Sequence, residues 1–241
     1  MMKYEIRKNE EALAALFSER RPFSEHLKKW EDALLPDKYD HNCFEYSGQP
    51  TREEFSKAVE HQKRSGAGFI KLEGDEPLSD SFGLDASVTL TMLLRSSETN
   101  WTINPDLQFH TPSIEELEKL ELKHFGSVYG EDFTRRNIRR LYEKLTYTGA
   151  YLDGTLVGAC YCFNKDALTC IDGLIVDEAH RKRYVATSLI AHIKNSFPDS
   201  KLYLHADEDD TPKEMYEKLG FETVDRLFEY MRSDIGVEVT K

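Results

Sequence analysis

The chain has 241 residues, a net charge of −12 and a 39% hydrophobic fraction that includes 13 Phe and 12 Tyr. That length suffices for one large or two small cored domains, and that composition excludes a disordered chain. The acidic balance argues against a nucleic-acid binder, whose phosphates such a surface repels; it suits a cationic amine acceptor, and solubility accounts for it equally.

The opening residues, Met1-Met2-Lys3-Tyr4-Glu5, lack the apolar core of a signal peptide. No apolar run reaches membrane-spanning length, so a cytoplasmic protein without membrane partners is expected. Asn9–Arg20 and Ser24–Leu35 read as two helices. Thr51 with Glu54 caps another, lined by Phe55, Val59 and Gln62. A strand follows at Phe69–Leu72 and a second at Val88–Leu94. Asn100–Asp106, with Pro105, reads as a linker. Ser113 with Glu116 forms a capping box ahead of Ile114, Leu117 and Leu120, and Gly126 and Gly130 bracket a break. A further helix turns Phe133, Ile138, Leu141 and Leu145 inward. Its arginines Arg135, Arg136, Arg139 and Arg140 make stripes at i,i+4, readable as a solvated basic face or as a grip on an acidic acceptor. Thr148–Leu152 and Leu156–Phe163 are strands joined by Asp153-Gly154, a two-residue hairpin signal. Asn164–Ala167 turns the chain into Leu168–Val176. After a long helix come a strand at Lys201–Ala206, a helix at Pro212–Leu219, and strands near Phe221–Asp225 and Leu227–Arg232.

Four cysteines do not suggest a disulfide framework. Cys160 and Cys162 share a strand face and Cys170 falls on the next antiparallel strand. The spacing fits buried reduced thiols rather than zinc, and no metal is expected.

The most informative stretch is Ile171 to Phe197. An apolar strand ending in Val176 enters the polar, cationic loop Asp177-Glu178-Ala179-His180-Arg181-Lys182-Arg183. A helix opens at once, with Ala186, Leu189, Ile190, Ile193 and Phe197 on one stripe. A helix N-terminus offers unsatisfied N–H groups and the positive end of a dipole, so the unit reads as a grip on a diphosphate and hence on a nucleotide-like cofactor.

This stretch resembles the cofactor motif of GNAT-superfamily N-acetyltransferases: an apolar strand ending in Val, then Arg/Gln-x-x-Gly-x-Gly/Ala. Here it is Val176 followed by Arg181-Lys182-Arg183-Tyr184-Val185-Ala186. Met215-Tyr216-Glu217-Lys218-Leu219-Gly220-Phe221 resembles the Leu-Tyr-x-x-Leu-Gly-Phe segment that closes the same fold. The resemblance covers residues 108–233. It implies acetyl-CoA as cosubstrate and a small-molecule or peptide amine as acceptor. It implies that the backbone of Leu174 and Val176 binds the pantetheine arm, and that Arg181, Lys182, Arg183, Tyr184, Val185, Ala186 and Thr187 cradle the pyrophosphate. Tyr216 matches the general acid that protonates the leaving thiolate. Asp172 stands where an acid relays the amine proton, and His205, ending the next strand, is the rival base. Tyr184 departs from the family's Gly; it is expected to fit with its side chain outward and a negative φ. Asp209, within Glu208-Asp209-Asp210, replaces a frequent Asn.

In the first hundred residues, Phe82-Gly83-Leu84-Asp85 echoes Leu219-Gly220-Phe221-Glu222, and each echo precedes a β-rich run, as an internal repeat would. Ser47-Gly48-Gln49-Pro50 has no cationic grip, so this half is not expected to bind cofactor. The expected fold is α/β, a GNAT-like mixed, mostly antiparallel sheet flanked by helices. Residues 1–100 form a degenerate GNAT-like or accessory domain, and 107–241 a GNAT-like acetyltransferase domain. The function expected is acetyl transfer from acetyl-CoA to a primary amine by direct attack. The alternatives are a turnover-dead module of the same fold that binds CoA or another ligand, and an aminoacyl or other acyl transferase.

Overall fold

The structure is a computed structural model that describes residues 2–95, 100–210 and 212–235. It comprises two compact units: one of Met1–Thr91, Ala206–Lys213 and Val224–Lys241, the other of Met92–His205 and Glu214–Thr223. The end of the chain is thus grouped with its beginning.

In the first unit, helix α1 (Met2–Ala14) precedes a hairpin of β1 (Glu19–Pro22) and β2 (Leu27–Glu31). Strand β3 (Phe44–Tyr46), helix α2 (Arg52–Arg64) and β4 (Phe69–Gly74) follow, then β5 (Asp85–Leu94). The final strand, β11 (Phe221–Ser233), returns along β4, with Phe228 opposite Gly74 and Ser233 opposite Phe69. The β1–β2, β2–β3 and β4–β11 pairs are antiparallel and the β3–β4 pair is parallel. The expected α2 forms with both halves of the Thr51–Glu54 capping box. Its Ala58 is buried with Leu27, Phe44, Ile70, Leu72 and Tyr230, and Phe55 and Val59 pack against them.

The helices expected at Asn9–Arg20 and Ser24–Leu35 are corrected. One helix occupies Met2–Ala14, and the second segment holds strand β2 of the β1–β2 hairpin. Strand β2 sits between β1 and β3 and buries Leu27, Lys29 and Trp30. Cross-strand pairing and burial override local helical preference here. The two expected C-terminal strands are one continuous strand, β11.

The second unit contains β6 (Gln108–His110), α3 (Ile114–Tyr129), α4 (Glu131–Tyr142), β7 (Thr146–Leu152), β8 (Thr155–Lys165), β9 (Leu168–Val176), α5 (Val185–Ser196) and most of β10 (Lys201–Asp207) and α6 (Pro212–Lys218). Strand order is β10-β9-β8-β7-β6, antiparallel except for the β10–β9 pair. The Ser113–Glu116 capping box forms; α3 runs through Gly126 and breaks only at Gly130, where φ is +85°. Asp153 and Gly154 both take left-handed backbone, as the hairpin signal requires. The segment expected as a linker is tied down. Trp101 Nε1 donates to Leu219 O (3.0 Å), and Asn104 N donates to Ser188 Oγ (2.9 Å). Both units are mixed α/β, with mostly antiparallel sheet and helices. No helix among the described residues is long and apolar enough to cross a membrane.

Candidate active site

The site begins where two strands part. The parallel ladder between β9 and β10 ends at Ile171 and Leu204, while β9 continues to Val176. Leu174 and Val176 lie on β9 beyond the end of that ladder. On the other side of β9 the register with β8 slips. Ala159 opposes Ile175 and Tyr161 opposes Asp172, so Gly173 and Leu174 bulge against a single residue. Gly173 sits at φ +59° with the Tyr161 ring packed where a side chain would stand; a Cβ there would lie 2.5 Å from Tyr161 Cε1.

This bulge sets up Asp172. Tyr161 OH donates to Asp172 Oδ2 at 2.7 Å, and Gly173 N donates to Oδ1 at 2.6 Å. The carboxylate is thereby oriented and keeps lone pairs to spare. Burial, and then the Asp172 charge, push the Tyr161 phenol well above its ordinary pKa, so it remains a donor. Tyr161 went unremarked in the sequence. Its signal was alternation, since it lies between Cys160 and Cys162 and faces the opposite side of β8.

After Val176, Asp177 N donates to Val157 O at 2.9 Å. The Asp177 carboxylate accepts from Ala179 N at 3.0 Å, contacts His180 Nδ1 at 3.2 Å and pairs with Lys123 of α3. The Lys123 hydrogen bond is the main reason its pKa falls to about 2. The loop then exposes Arg181, Lys182 and Arg183. Lys182 (φ +61°) and Tyr184 (φ +59°) are both left-handed. The negative φ expected at Tyr184 is therefore corrected. The phenol does point outward, 54% exposed, but the backbone keeps the conformation for which Gly is usually selected. Asn104 Nδ2 braces the loop at Arg183 O, 3.3 Å away. Tyr184 caps α5 without a side-chain hydrogen bond, and the first turn carries no acid. The N–H groups of Val185, Ala186 and Thr187 thus head a helix with cations beside them, an arrangement that attracts polyphosphate.

The other candidates are more dispersed. Tyr216 lies on α6, 7% exposed, with its ring 6.0 Å from Phe221. His205 on β10 packs edge-on to Tyr203 at 5.8 Å. The arginine stripe is largely internal pairing. Arg135 and Arg139 clamp the buried Glu118 of α3 at 2.9 and 2.5 Å, and Arg136 pairs with Asp132 at 2.9 Å. In the first unit, Glu208 pairs with Arg226 at 3.2 Å, and Asp209 N donates to Asp207 Oδ1 at 2.9 Å. Cys43, Cys160, Cys162 and Cys170 are buried and form no disulfide. No cluster of three or more possible metal ligands occurs among the described residues.

Strand β9, parted from β10 and bulged against β8, thus leads into an uncapped helix start with cations beside it. Residues 114–221 match the Acetyltransferase (GNAT) family, so the sequence resemblance holds over this segment. Among solved structures, a functionally unknown conserved protein from Staphylococcus epidermidis is similar at 17% identity, with a TM-score of 0.76 over 90% of this chain and 94% of its own. A GCN5-related N-acetyltransferase from Kribbella flavida matches at 14% identity and TM-score 0.65, covering 98% of this chain and 96% of that one. A tandem GNAT protein from the clavulanic acid biosynthesis pathway matches at 17% identity and TM-score 0.54, covering 78% and 70%. No curated protein matches the chain. The chain thus carries the GNAT acetyltransferase fold, with tandem GNAT proteins among its structural neighbours.

Proposed function

We propose that the protein is a cytoplasmic acetyl-CoA-dependent N-acetyltransferase that acetylates a primary amine by direct attack. The observation that carries this reading is the contrast between two helix starts. The α5 N-terminus has no side-chain cap, no acid in its first turn and three adjacent cations. The α2 N-terminus is closed by its own Thr51–Glu54 box and carries Glu53 and Glu54 in its first turn. One start attracts a pyrophosphate and the other repels it. This supports cofactor binding by residues Arg181–Thr187 and a degenerate or accessory role for residues 1–100.

In this reading the pantetheine arm lies along β9, bonded by the Leu174 and Val176 backbone. The amine nitrogen attacks the thioester carbonyl carbon, and its proton passes to Asp172. The C–S bond then breaks, and Tyr216 protonates the leaving thiolate. Four buried cysteines without disulfides support a reducing compartment. The test is calorimetric titration of acetyl-CoA into wild type and Arg181→Glu, alongside thiol release with an amine panel. The variant should fold and bind about tenfold more weakly, the effect of one lost charge-assisted contact. Equal affinities, or no thiol release with any amine, would overturn the proposal.

A further inference from the structure

Asp172 is held from two strands. Its Oδ1 accepts from Gly173 N at 2.6 Å, and its Oδ2 accepts from Tyr161 OH at 2.7 Å. It makes no ion pair among the described residues. Without a counter-charge, these two donors are what favours the carboxylate over the acid. They are not equivalent. The Gly173 amide adjoins Asp172 in the chain, so it follows the carboxylate wherever β9 goes. The Tyr161 hydroxyl comes from β8 and fixes the carboxylate against a second strand.

Packing fixes that hydroxyl in turn. Tyr147, Tyr161 and Asp172 are in register across β7, β8 and β9, and the Tyr161–Asp172 pair is the last before the register slips. The Tyr161 ring fills the space that a side chain at Gly173 would occupy, and the Tyr147 ring lies 5.5 Å from it. Asp172 itself is half-buried. Its carboxylate is therefore aimed from within the sheet while part of the side chain stays exposed.

The neighbouring groups leave the ionisation of Asp172 to its donors. Tyr161 and Cys162 of β8 and Tyr147 of β7 feel its charge. Burial pushes both phenols well up, and hydrogen bonding with Cys160, then burial, does the same for the Cys162 thiol, so all three stay neutral. On the β10 side, His205 follows Leu204, where that ladder ends, and α5 carries His192 and Lys194; none of the three is bonded to Asp172. Resting on the acetyl-transfer reading, we propose that Tyr161 is the positioning residue of that reaction. Its hydroxyl fixes the direction of the Asp172 lone pairs and holds the carboxylate ready to take the amine proton.

Tyr161→Phe in the full-length protein keeps the ring and removes only the hydroxyl. The Asp172 carboxyl is followed across pH by carbon NMR, its signal assigned with Asp172→Asn. Loss of one hydrogen bond to the charged form should raise the titration midpoint by about one pH unit, a change of about tenfold in proton affinity. The acid limb of kcat/KM, read from thiol release with acetyl-CoA and an amine panel, should move up with it. A ring that only fills space would move neither. In wild type, the Tyr161 ring carbon that bears the hydroxyl should shift as Asp172 titrates. An unmoved midpoint, an unmoved limb in an active enzyme, or a ring carbon blind to the Asp172 titration would overturn the proposal. No thiol release from wild type with any amine, beside a moved midpoint, would sink acetyl transfer and leave Tyr161 its hold on Asp172. Thiol release with an unmoved midpoint would do the reverse.

Discussion

Gly173→Ala tests the bulge on which the candidate site is built. The new Cβ would lie 2.5 Å from Tyr161 Cε1 and 2.8 Å from Cδ1, on backbone held at φ +59°. The ring cannot swing away freely. Its hydroxyl is bonded to Asp172 at 2.7 Å, and its face meets Tyr147 at 5.5 Å. Left-handed backbone costs an alanine about 1–2 kcal/mol, and overpacking adds about 1–3 kcal/mol. Reduced freedom of the unfolded chain offsets roughly 0.4–1 kcal/mol. The net loss should be about 2–4 kcal/mol, read as a shift in the urea midpoint at unchanged slope. Because the ring is the obstacle, Tyr161→Ala in the same background should recover the steric part and leave the backbone part. The double-mutant cycle should therefore show about 1–3 kcal/mol of coupling. A loss below about 1 kcal/mol, or strict additivity of the two substitutions, would show that Tyr161 does not fill the bulge as described.

Tyr216→Phe should fold normally and lower kcat about 10²–10⁴-fold on whichever amine proves active; an unchanged kcat at saturation would give Tyr216 a packing role, beside Phe221. Tyr184→Gly should change stability by less than about 1 kcal/mol, since relief of left-handed strain offsets added chain entropy, and should strengthen CoA binding by removing a Cβ from the loop; weaker binding would mean that the exposed phenol itself contacts cofactor. Asp177 has a folded pKa of about 2, below its ordinary value. Its contribution is thus fully present above about pH 4 and lost as pH falls through 2. Lys123→Met should flatten acid unfolding in that window, and identical titrations of variant and wild type would remove the Lys123–Asp177 pair from the account.

The second unit was the more legible because its signals are local. The Ser113–Glu116 box and the Asp153-Gly154 turn act within a few residues and formed as read; the α5 stripe is buried at Leu189, Ile190 and Ile193, while Ala186 and Phe197 are only half-buried. The cationic loop between β9 and α5 was equally local. Tyr184 was misjudged in φ because backbone conformation there answers to the Asn104 brace and the β9 exit, both set outside the loop. Tyr161 and Tyr147 escaped notice because strand register decides which side chains form a row, and register is absent from any one strand. The arginine stripe of α4 looked available, yet Glu118 of α3 claims Arg135 and Arg139.

What the sequence determined by itself was the order of elements from Ser113 to α6 and the cationic loop that meets the α5 N-terminus, since capping, periodicity and turn residues act at short range. Only the tertiary structure decided that Leu27–Glu31 is a strand, that β11 completes the sheet begun by β4, and that a bulge turns Asp172 toward Tyr161. These depend on pairing between distant segments, in the case of β4 and β11 from Gly74 with Phe228 to Phe69 with Ser233. There, hydrogen-bonding and burial gains from a distant partner outweigh the small preferences that a local stretch of chain carries.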